Sequence, residues 1–231
     1  MVANGLLSAF KGYLQTDAYS GYNGVTAKPE VTSVGCMAHA RRKFDAVVKS
    51  LSKDSPRPEA RLAYQALDYI RRLYRIEKAI KGKSAEERLR RRQTDSQEVL
   101  DEFAQWRDGH LEQAVVLGGQ IEKAFGYLAN QWVALTRFVE DERLNIDNNR
   151  AERHIRPIAN GRKVWLFARS EQGAHASAAW YSIVETAKAN DLEPYHYLRW
   201  LFAELPRYLE NGLELDPLLP WNVSDEKIRA S

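Results

Sequence analysis

The first fifty residues combine two short extended segments with one amphipathic helix. Apolar and polar positions alternate over residues 13–16, which predicts a strand that leads into Asp17 and a turn rich in glycine, serine and asparagine. A second short strand is predicted over residues 31–36. From Met37 onward, apolar positions recur at spacings of three and four, as on the buried face of a helix: Ala40, Phe44, Val47, Val48 and Leu51.

The middle of the chain carries three helical stripes and no strand pattern. Residues 52–58 are polar and contain prolines, which indicates a linker. The first stripe ends at Gly82, and the second follows a capping-box pattern at Ser84 and Glu87. A glycine pair, Gly118–Gly119, separates it from the third. Such helices are expected to pack against one another through Leu62, Ala66, Tyr69, Leu73 and Ile76; Leu89, Leu100, Phe103 and Trp106; and Ile121, Phe125, Leu128, Trp132, Leu135 and Val139.

The last third of the chain predicts further helices and a loosely held end. Residues 144–149 lead into a helix start with Glu152 in its first turn. Residues 163–168 fit either a short strand or a buried extended segment. Helices are predicted over residues 174–189 and 194–205, with Pro194 suited to the first turn of the second. Residues 206–231 lose periodicity, so we expect them to be loosely held.

The composition is that of a globular protein of 231 residues, 44% apolar and 28% charged. No window approaches the roughly 18 uninterrupted apolar residues of a membrane span. The first ten residues lack the pattern of a secretory signal. Cys36 is the single cysteine, which excludes an internal disulfide and fits a reducing compartment. We therefore expect a cytoplasmic protein with no membrane partner.

The distribution of charge is more informative than its sum. The net charge is only +3, but basic residues cluster within residues 41–43, 81–92 and 150–163. Such clusters favour nucleic acid as a partner, although composition by itself does not establish one. A phosphate-binding loop is excluded, because the position of its leading glycine is Glu77. No G-x-S-x-G elbow of a serine hydrolase occurs either.

Two acidic residues are candidates for chemistry. Asp17 follows a predicted strand, where metal-dependent phosphoryl-transfer enzymes place ligands for Mg²⁺, but an aspartate at such a junction is also a common turn former. Glu152 lies among Arg150, Arg153 and Arg156, whose spacing places them on one side of a helix. It fits a metal site close to DNA phosphates. It fits equally a capping interaction in which Asn149 caps the helix and Glu152 bonds back to it.

The segment after the second strand offers other candidates. Cys36 and His39 have the spacing of metal ligands, but no second cysteine exists to complete a structural zinc site. A buried cysteine and a histidine that opens the next helix are the alternative. Arg41, Arg42 and Lys43 follow directly, so this helix start either binds phosphate or presents a solvated basic face. Tyr19 and Tyr22, beside Asp17, either stack on an unpaired base or pack locally.

Six segments of the chain together resemble the transposases of the insertion-sequence-66 family. The resemblance runs in order from about Gly12 to Leu205. It is carried by residues 12–23 (GYLQTDAYSGYN), 35–44 (GCMAHARRKF), 146–153 (IDNNRAER), 161–167 (GRKVWLF), 181–188 (YSIVETAK) and 194–198 (PYHYL).

The resemblance implies an RNase H-like core in which two aspartates and a glutamate hold Mg²⁺ or Mn²⁺. Asp17 falls on the second aspartate and Glu152 on the glutamate, while Cys36 and His39 fall on a cysteine-x-x-histidine signature of uncertain role. DNA, as transposon ends and target, is the implied partner. The implied DNA-binding residues are His39, Arg41, Arg42, Lys43, Arg150, Arg153, Arg156, Arg162 and Lys163.

The implied fold is α/β and mostly helical, a partial RNase H-like core that lacks its first strands. Residues 1–52 would form the first part of this core, residues 53–141 an all-helical insertion, residues 142–205 the completion that carries the glutamate, and residues 206–231 the tail. Two small departures from the family occur. Ala18 stands where glycine is usual, and Val164 stands where asparagine is usual.

The family's first aspartate and its upstream DNA-binding region correspond to positions before Met1. We therefore expect a truncated transposase that does not cleave or join DNA by itself. One alternative is a non-catalytic DNA-binding or oligomerising fragment that modulates an intact transposase. A second is a decayed remnant. Beyond DNA, a second copy of the chain or an intact transposase is a possible partner.

Overall fold

The chain folds mostly into helices, with one two-stranded sheet near its start. The computed structural model describes residues 5, 7–51, 57–165, 170–224, 226 and 228, and only the backbone of residues 162–165. The chain forms two compact units, Met1–Arg150 and Ala151–Ser231. The prediction of a mostly helical chain with a small sheet is confirmed.

The sheet of the first unit is a parallel pair. Strand β1, Gly12–Gln15, pairs with strand β2, Val31–Val34, and their first residues lie opposite each other. The connection includes a single helical turn, α1, Asn23–Thr26, which buries Val25. Both predicted strands are confirmed. Because the strands are parallel, their carboxyl ends lie at the same edge of the sheet.

The next helix begins directly after β2. Helix α2, Met37–Ser50, buries the predicted apolar face. The backbone before it passes very close to another helix, since a Cβ atom on Gly35 would lie only 3.0 Å from the backbone nitrogen of Leu135. The Gly35 N–H donates to the Ala134 carbonyl at 2.8 Å. Only glycine permits this approach without displacement.

Four further α-helices lie in the described residues of the first unit: α3, Pro58–Ala79; α4, Ala85–Arg91; α5, Gln97–Leu117; and α6, Gly119–Thr136. The apolar stripes of α2, α3, α5 and α6 form one continuous core, which confirms most of the predicted packing. Leu89 is the exception, because α4 buries no residue and Leu89 is not part of this core. The largest fully buried side chains of this core are Phe44, Phe103, Phe125, Phe138, Met37, Ile70, Leu73, Leu100, Ile121, Leu128 and Leu135.

The boundaries of these helices follow local signals in the sequence. Ser84 caps α4, because its Oγ accepts the Glu87 N–H at 3.2 Å. The Glu87 carboxylate binds Arg90 at 2.8 and 3.0 Å, so only the serine half of the predicted capping box forms. Gly118 and Gly119 both take positive φ, of 67° and 66°, and separate α5 from α6. A π-helical segment, Arg92–Ser96, joins α4 to α5, where the sequence predicts one continuous helix.

The second unit contains most of helix α7, Asn149–Trp165, and all of α8, Glu171–Ala189, and α9, Pro194–Glu210. Pro194 occupies the first turn of α9, as predicted. The sequence places the end of this helix near Leu205, but the structure continues it through Pro206 to Glu210. A proline removes one N–H from the helical ladder. The continuation is stabilised because Leu205 and Tyr208 pack against the core of this unit.

The residues after α9 contribute to that same core. Leu218, Val223 and Ile228 are buried with Tyr197 and Trp200 of α9. The Tyr197 hydroxyl donates to the Leu218 carbonyl at 2.8 Å, which fixes the returning chain against the helix.

Candidate active site

Asp17 lies at the carboxyl edge of the parallel pair, two residues after β1. Cys36 lies two residues after β2, at the same edge. Ligands of open α/β sheets bind at this edge of parallel strands. The Asp17 side chain is half-buried, and its Oδ1 accepts the Tyr19 N–H at 3.0 Å. This bond closes a tight turn and fixes the carboxylate relative to the strand end.

The turn after Asp17 forces Ala18 into a backbone conformation that suits glycine. Its φ is +65°, and its N–H donates to the Thr16 hydroxyl at 3.3 Å. A non-glycine residue in this left-handed region costs roughly 1–2 kcal/mol. The φ angle gives a physical reason for the glycine that is usual at this position in the resembling family.

Replacing Ala18 with glycine is expected to stabilise the first unit. The relieved strain of roughly 1–2 kcal/mol exceeds the roughly 0.4–1 kcal/mol of extra freedom that glycine gives the unfolded chain. The net gain is therefore between roughly 0 and 1.6 kcal/mol, measured by urea denaturation. Ala46→Gly, at an exposed helical position of α2, is the matched control and should lower stability by about 1 kcal/mol. Destabilisation by both variants would contradict the strain argument.

Tyr127 of α6 connects Asp17 to the basic face of α2. Its hydroxyl donates to the Asp17 carbonyl at 3.4 Å, and the Lys43 ammonium lies 4.8 Å from its ring centroid. Burial raises the pKa of Tyr127 to about 12, and the charges of Cys36 and Asp17 add to the increase. Tyr127 is therefore a neutral hydrogen-bond donor, and Lys43 is held in the neighbourhood of Asp17.

Cys36 is a buried anchor for a distant loop. Its Sγ accepts the Asn148 N–H at 3.4 Å. Burial raises the pKa of the Cys36 thiol, and the nearby Asp147 charge contributes in the same direction. His39 shares a hydrogen bond of 2.9 Å between its Nε2 and Nη1 of Arg42. Cys36 thus joins the segment between β2 and α2 to the loop before α7, whereas this bond of His39 lies within α2.

Two further hydrogen bonds hold this loop, residues 144–149, at the strand ends. The Gln15 amide donates to the Asn145 carbonyl at 2.7 Å and to the Gly35 carbonyl at 3.1 Å. The Met37 N–H, at the start of α2, donates to the Ile146 carbonyl at 3.0 Å. The carboxyl edge of the sheet therefore fixes the backbone that enters α7.

Asp147 organises the start of α7. Its Oδ1 accepts the Asn149 N–H at 3.1 Å, and its Oδ2 accepts the Asn149 amide at 2.7 Å and the Tyr74 hydroxyl at 2.6 Å. Burial, followed by this hydrogen bond to Asp147, raises the pKa of Tyr74, so the phenol remains a donor. Asn149 is the first residue of α7, and both its N–H and its side-chain amide donate to Asp147.

A buried arginine binds the backbone of residues 138–144, which lead into this loop. Arg92, only 3% exposed, binds both carboxylate oxygens of Glu77 at 2.7 and 2.8 Å. Its remaining nitrogen donates to three main-chain carbonyls, those of Leu144 (2.9 Å), Phe138 (3.3 Å) and Asp141 (3.4 Å). Arg92 belongs to the basic run of residues 81–92, but it serves the interior rather than a DNA-facing surface. Nothing in the local sequence distinguishes it from its exposed neighbours.

Glu152 lies in the first turn of α7 and is half-buried. It belongs to the second unit, whereas Asp17 belongs to the first. In the described part of the chain, no group of three or more histidine, cysteine, aspartate or glutamate side chains is placed to hold a metal ion.

Most of the predicted basic residues are exposed. The outer face of α2 carries Arg41, Arg42 and Lys43. Nε of Arg41 lies 3.6 Å from Oδ2 of Asp45. Three exposed arginines recur at three-residue intervals along α7: Arg150, Arg153 and Arg156. The side chains of Arg162 and Lys163 lie outside the described residues. Among the helices that are described, none is long and apolar enough to cross a membrane.

The chain belongs to the IS66 transposase family. Residues 1–176 match the family described as "Transposase IS66 family", and residues 182–221 match its "IS66 C-terminal element". These matches confirm the family resemblance predicted from the sequence.

Similar proteins occur in Sinorhizobium fredii (strain NBRC 101917 / NGR234). The uncharacterized protein y4hP is 33% identical over 226 residues, which cover 93% of this chain and 40% of y4hP. The uncharacterized protein y4jD is 32% identical over 232 residues, which cover 96% of this chain and 43% of y4jD. The chain thus spans about two fifths of the length of these relatives. No solved structure matches it.

Proposed function

We propose that this chain contributes Asp17 and Glu152 to the active site of an insertion-sequence transposase, which cleaves DNA and transfers its strands. The observation that carries the proposal is the family match over residues 1–176, which includes both carboxylates. The position of Asp17 at the carboxyl edge of a parallel sheet supports it, because this is where such folds place their ligand-binding groups. The complete reaction is proposed for a protein of the relatives' full length, of which this chain spans about two fifths.

The two carboxylates would hold Mg²⁺ or Mn²⁺ through oxygen ligands, which both ions prefer. When bound, such an ion supplies charge stabilisation at phosphodiester oxygens and lowers the pKa of a bound water. Arg150, Arg153 and Arg156 would bind DNA phosphates along α7, and the exposed residues 41–43 would do so along α2. Arginine suits this role because its planar group matches phosphate geometry.

The proposed fold assignment follows from the same resemblance. Strands β1 and β2 would belong to an RNase H-like core, and the glutamate would lie on its completing helix within residues 142–205. Helices α3–α6 would form an insertion into this core over residues 53–141. The hydrogen bonds from Tyr74 to Asp147 and from Arg92 to Leu144 would then give the inserted helices a role in holding the segment before α7.

Metal binding tests the proposal without a need for catalysis. Asp17→Asn and Glu152→Gln should each weaken Mn²⁺ binding by at least roughly tenfold, since even the outer partners of metal ligands have effects of that size. The free Mn²⁺ signal in electron paramagnetic resonance measures the affinity. Asp101→Asn and Glu98→Gln make the same charge changes at exposed positions of α5 and should leave binding unchanged. Equal affinities for all four variants would contradict the metal site.

A non-catalytic DNA-binding role is the second candidate, favoured by the exposed arginines of α7. It predicts DNA affinity that falls steeply with salt, together with Mn²⁺ binding that Glu152→Gln does not change. Incubation with supercoiled DNA and Mn²⁺ separates the two further. Nicking by this chain that Glu152→Gln abolishes would favour the catalytic role, because a purely DNA-binding protein has no use for that carboxylate.

A further inference from the structure

Tyr19 is an aromatic side chain that is fixed in place yet 65% exposed. Its backbone N–H is bonded to the Asp17 carboxylate at 3.0 Å. Its ring meets the Tyr22 ring edge to face, with centroids 6.3 Å apart. It also covers Gly21 so closely that a Cβ atom there would lie 2.4 Å from a ring carbon. Tyr19 is therefore held two residues from Asp17 with most of its ring open to solvent.

The two tyrosines of this turn have different environments. Tyr22 is half-buried and supports the Tyr19 ring, whereas Tyr19 is exposed. The sequence leaves open whether both stack on a base or both pack locally, and the structure assigns packing to Tyr22. A ring that is held before a ligand arrives loses little conformational freedom when the ligand binds. The geometry thus provides a preformed flat apolar surface beside a carboxylate.

A cation lies in the same neighbourhood. Lys43 is exposed on α2, and its ammonium lies 4.8 Å from the ring centroid of Tyr127. Tyr127 in turn donates to the carbonyl of Asp17, the residue whose carboxylate fixes Tyr19. Aromatic surfaces flanked by lysine or arginine bind single-stranded nucleic acid, because bases stack on the rings while the cations bind the backbone. The surroundings of Asp17 carry both elements.

We propose that Tyr19 is a stacking platform for an unpaired base of a DNA strand, with Lys43 binding an adjacent phosphate. The choice of DNA rests on the proposed transposase function. A strand seated in this way has its backbone close to the Asp17 carboxylate. Tyr19 therefore positions the strand, and it takes no part in bond making. Stacking of this kind tolerates every base, because each base has a flat π-face.

The test compares two DNA probes without any metal. The full chain is titrated in EDTA with a 12-residue oligothymidylate and with an abasic oligomer of the same length, and fluorescence anisotropy measures both affinities. Tyr19→Ala should weaken oligothymidylate binding by roughly 5- to 150-fold, the range for loss of one base stack. It should leave the affinity for the abasic oligomer unchanged. Tyr19→Phe retains the ring and should match the unmodified chain.

Three further variants keep the result interpretable. Tyr19→Leu retains apolar bulk without a π-face and should bind like Tyr19→Ala. Lys43→Gln should weaken both probes alike and reduce their salt dependence, as expected for a phosphate contact. Tyr64→Ala, at another exposed tyrosine (60%), should change neither affinity. Equal weakening of both probes by Tyr19→Ala, or none, would overturn the platform. Tighter binding of an oligouridylate than of the oligothymidylate would overturn the choice of DNA.

The metal-free design separates this inference from the proposed function. Loss of Mn²⁺ binding in Asp17→Asn tests the metal site without any DNA. If the chain binds Mn²⁺ but its DNA affinity does not depend on the bases, the metal-site proposal stands and the stacking proposal fails. If its DNA affinity depends on the bases and on Tyr19 but it binds no Mn²⁺, the stacking proposal stands for a DNA-binding protein.

Discussion

Arg92→Met is expected to lower the free energy of unfolding of the first unit by about 3–5 kcal/mol, the usual cost of removing one partner of a buried ion pair. Methionine fills part of the space of the arginine stem but provides no donor. The Glu77 carboxylate, whose side chain is only 16% exposed, would be left without its bidentate partner. The carbonyls that Arg92 reaches would lose a charged donor as well. Urea denaturation followed by tryptophan fluorescence measures the loss.

An exposed pair in the same unit provides the matched control. Arg72 binds Glu102 at 2.6 Å, but their side chains are 34% and 45% exposed. Arg72→Met should therefore lower the free energy of unfolding far less than Arg92→Met does, because water solvates both partners of the exposed pair. The double variant Arg92→Met, Glu77→Leu removes the unpaired charge, and its remaining deficit measures the carbonyl hydrogen bonds. Similar losses for Arg92→Met and Arg72→Met would show that the buried pair does not hold this unit together.

Phe103→Ala is expected to cost about 3–5 kcal/mol, the usual range for a fully buried phenylalanine. Phe103 is 0% exposed and lies at the centre of an aromatic cluster. Its ring stacks on Tyr69 of α3 at 4.9 Å and meets the Trp132 ring of α6 edge to face at 5.4 Å. Alanine would leave a cavity between three helices. The thermal midpoint and the near-ultraviolet circular dichroism of the tryptophans report the change.

Two other variants isolate the contribution of burial. Phe103→Leu retains most of the volume and should cost clearly less than alanine. Phe202→Ala removes the same ring at a position of α9 that is 56% exposed, and should have a small effect. If Phe103→Ala were as mild as Phe202→Ala, the aromatic cluster would not be the centre of the core.

Much of the local structure is predictable from the sequence, because short-range patterns determine it. The alternation before Asp17 gives β1, and the three- and four-residue spacings after Met37 give the buried face of α2. Ser84 caps its helix and Pro194 begins one, since both effects depend on a few neighbouring residues. The location of Asp17 at a strand end is confirmed for the same reason. Its part in catalysis stays a prediction.

The interactions that the sequence does not reveal connect residues far apart in the chain. Arg92 resembles any other member of a basic run until Glu77 and three carbonyls are seen around it. The pairing of Tyr74 with Asp147 spans 73 residues, and no local pattern signals it. Pro206 predicts a helix end, but tertiary packing of its neighbours outweighs the lost hydrogen bond.

The anchoring of residues 144–149 also has a consequence for the order of folding. The bond from Gln15 to Asn145 spans 130 residues, and that from Asn148 to Cys36 spans 112. Closing so large a loop in an unfolded chain is entropically costly before other contacts compensate. Helices α3–α6 lie between the two ends, and each helical pair forms mainly from contacts closer in sequence. We therefore expect the helical hairpins to form first and the segment that enters α7 to reach the strand ends late.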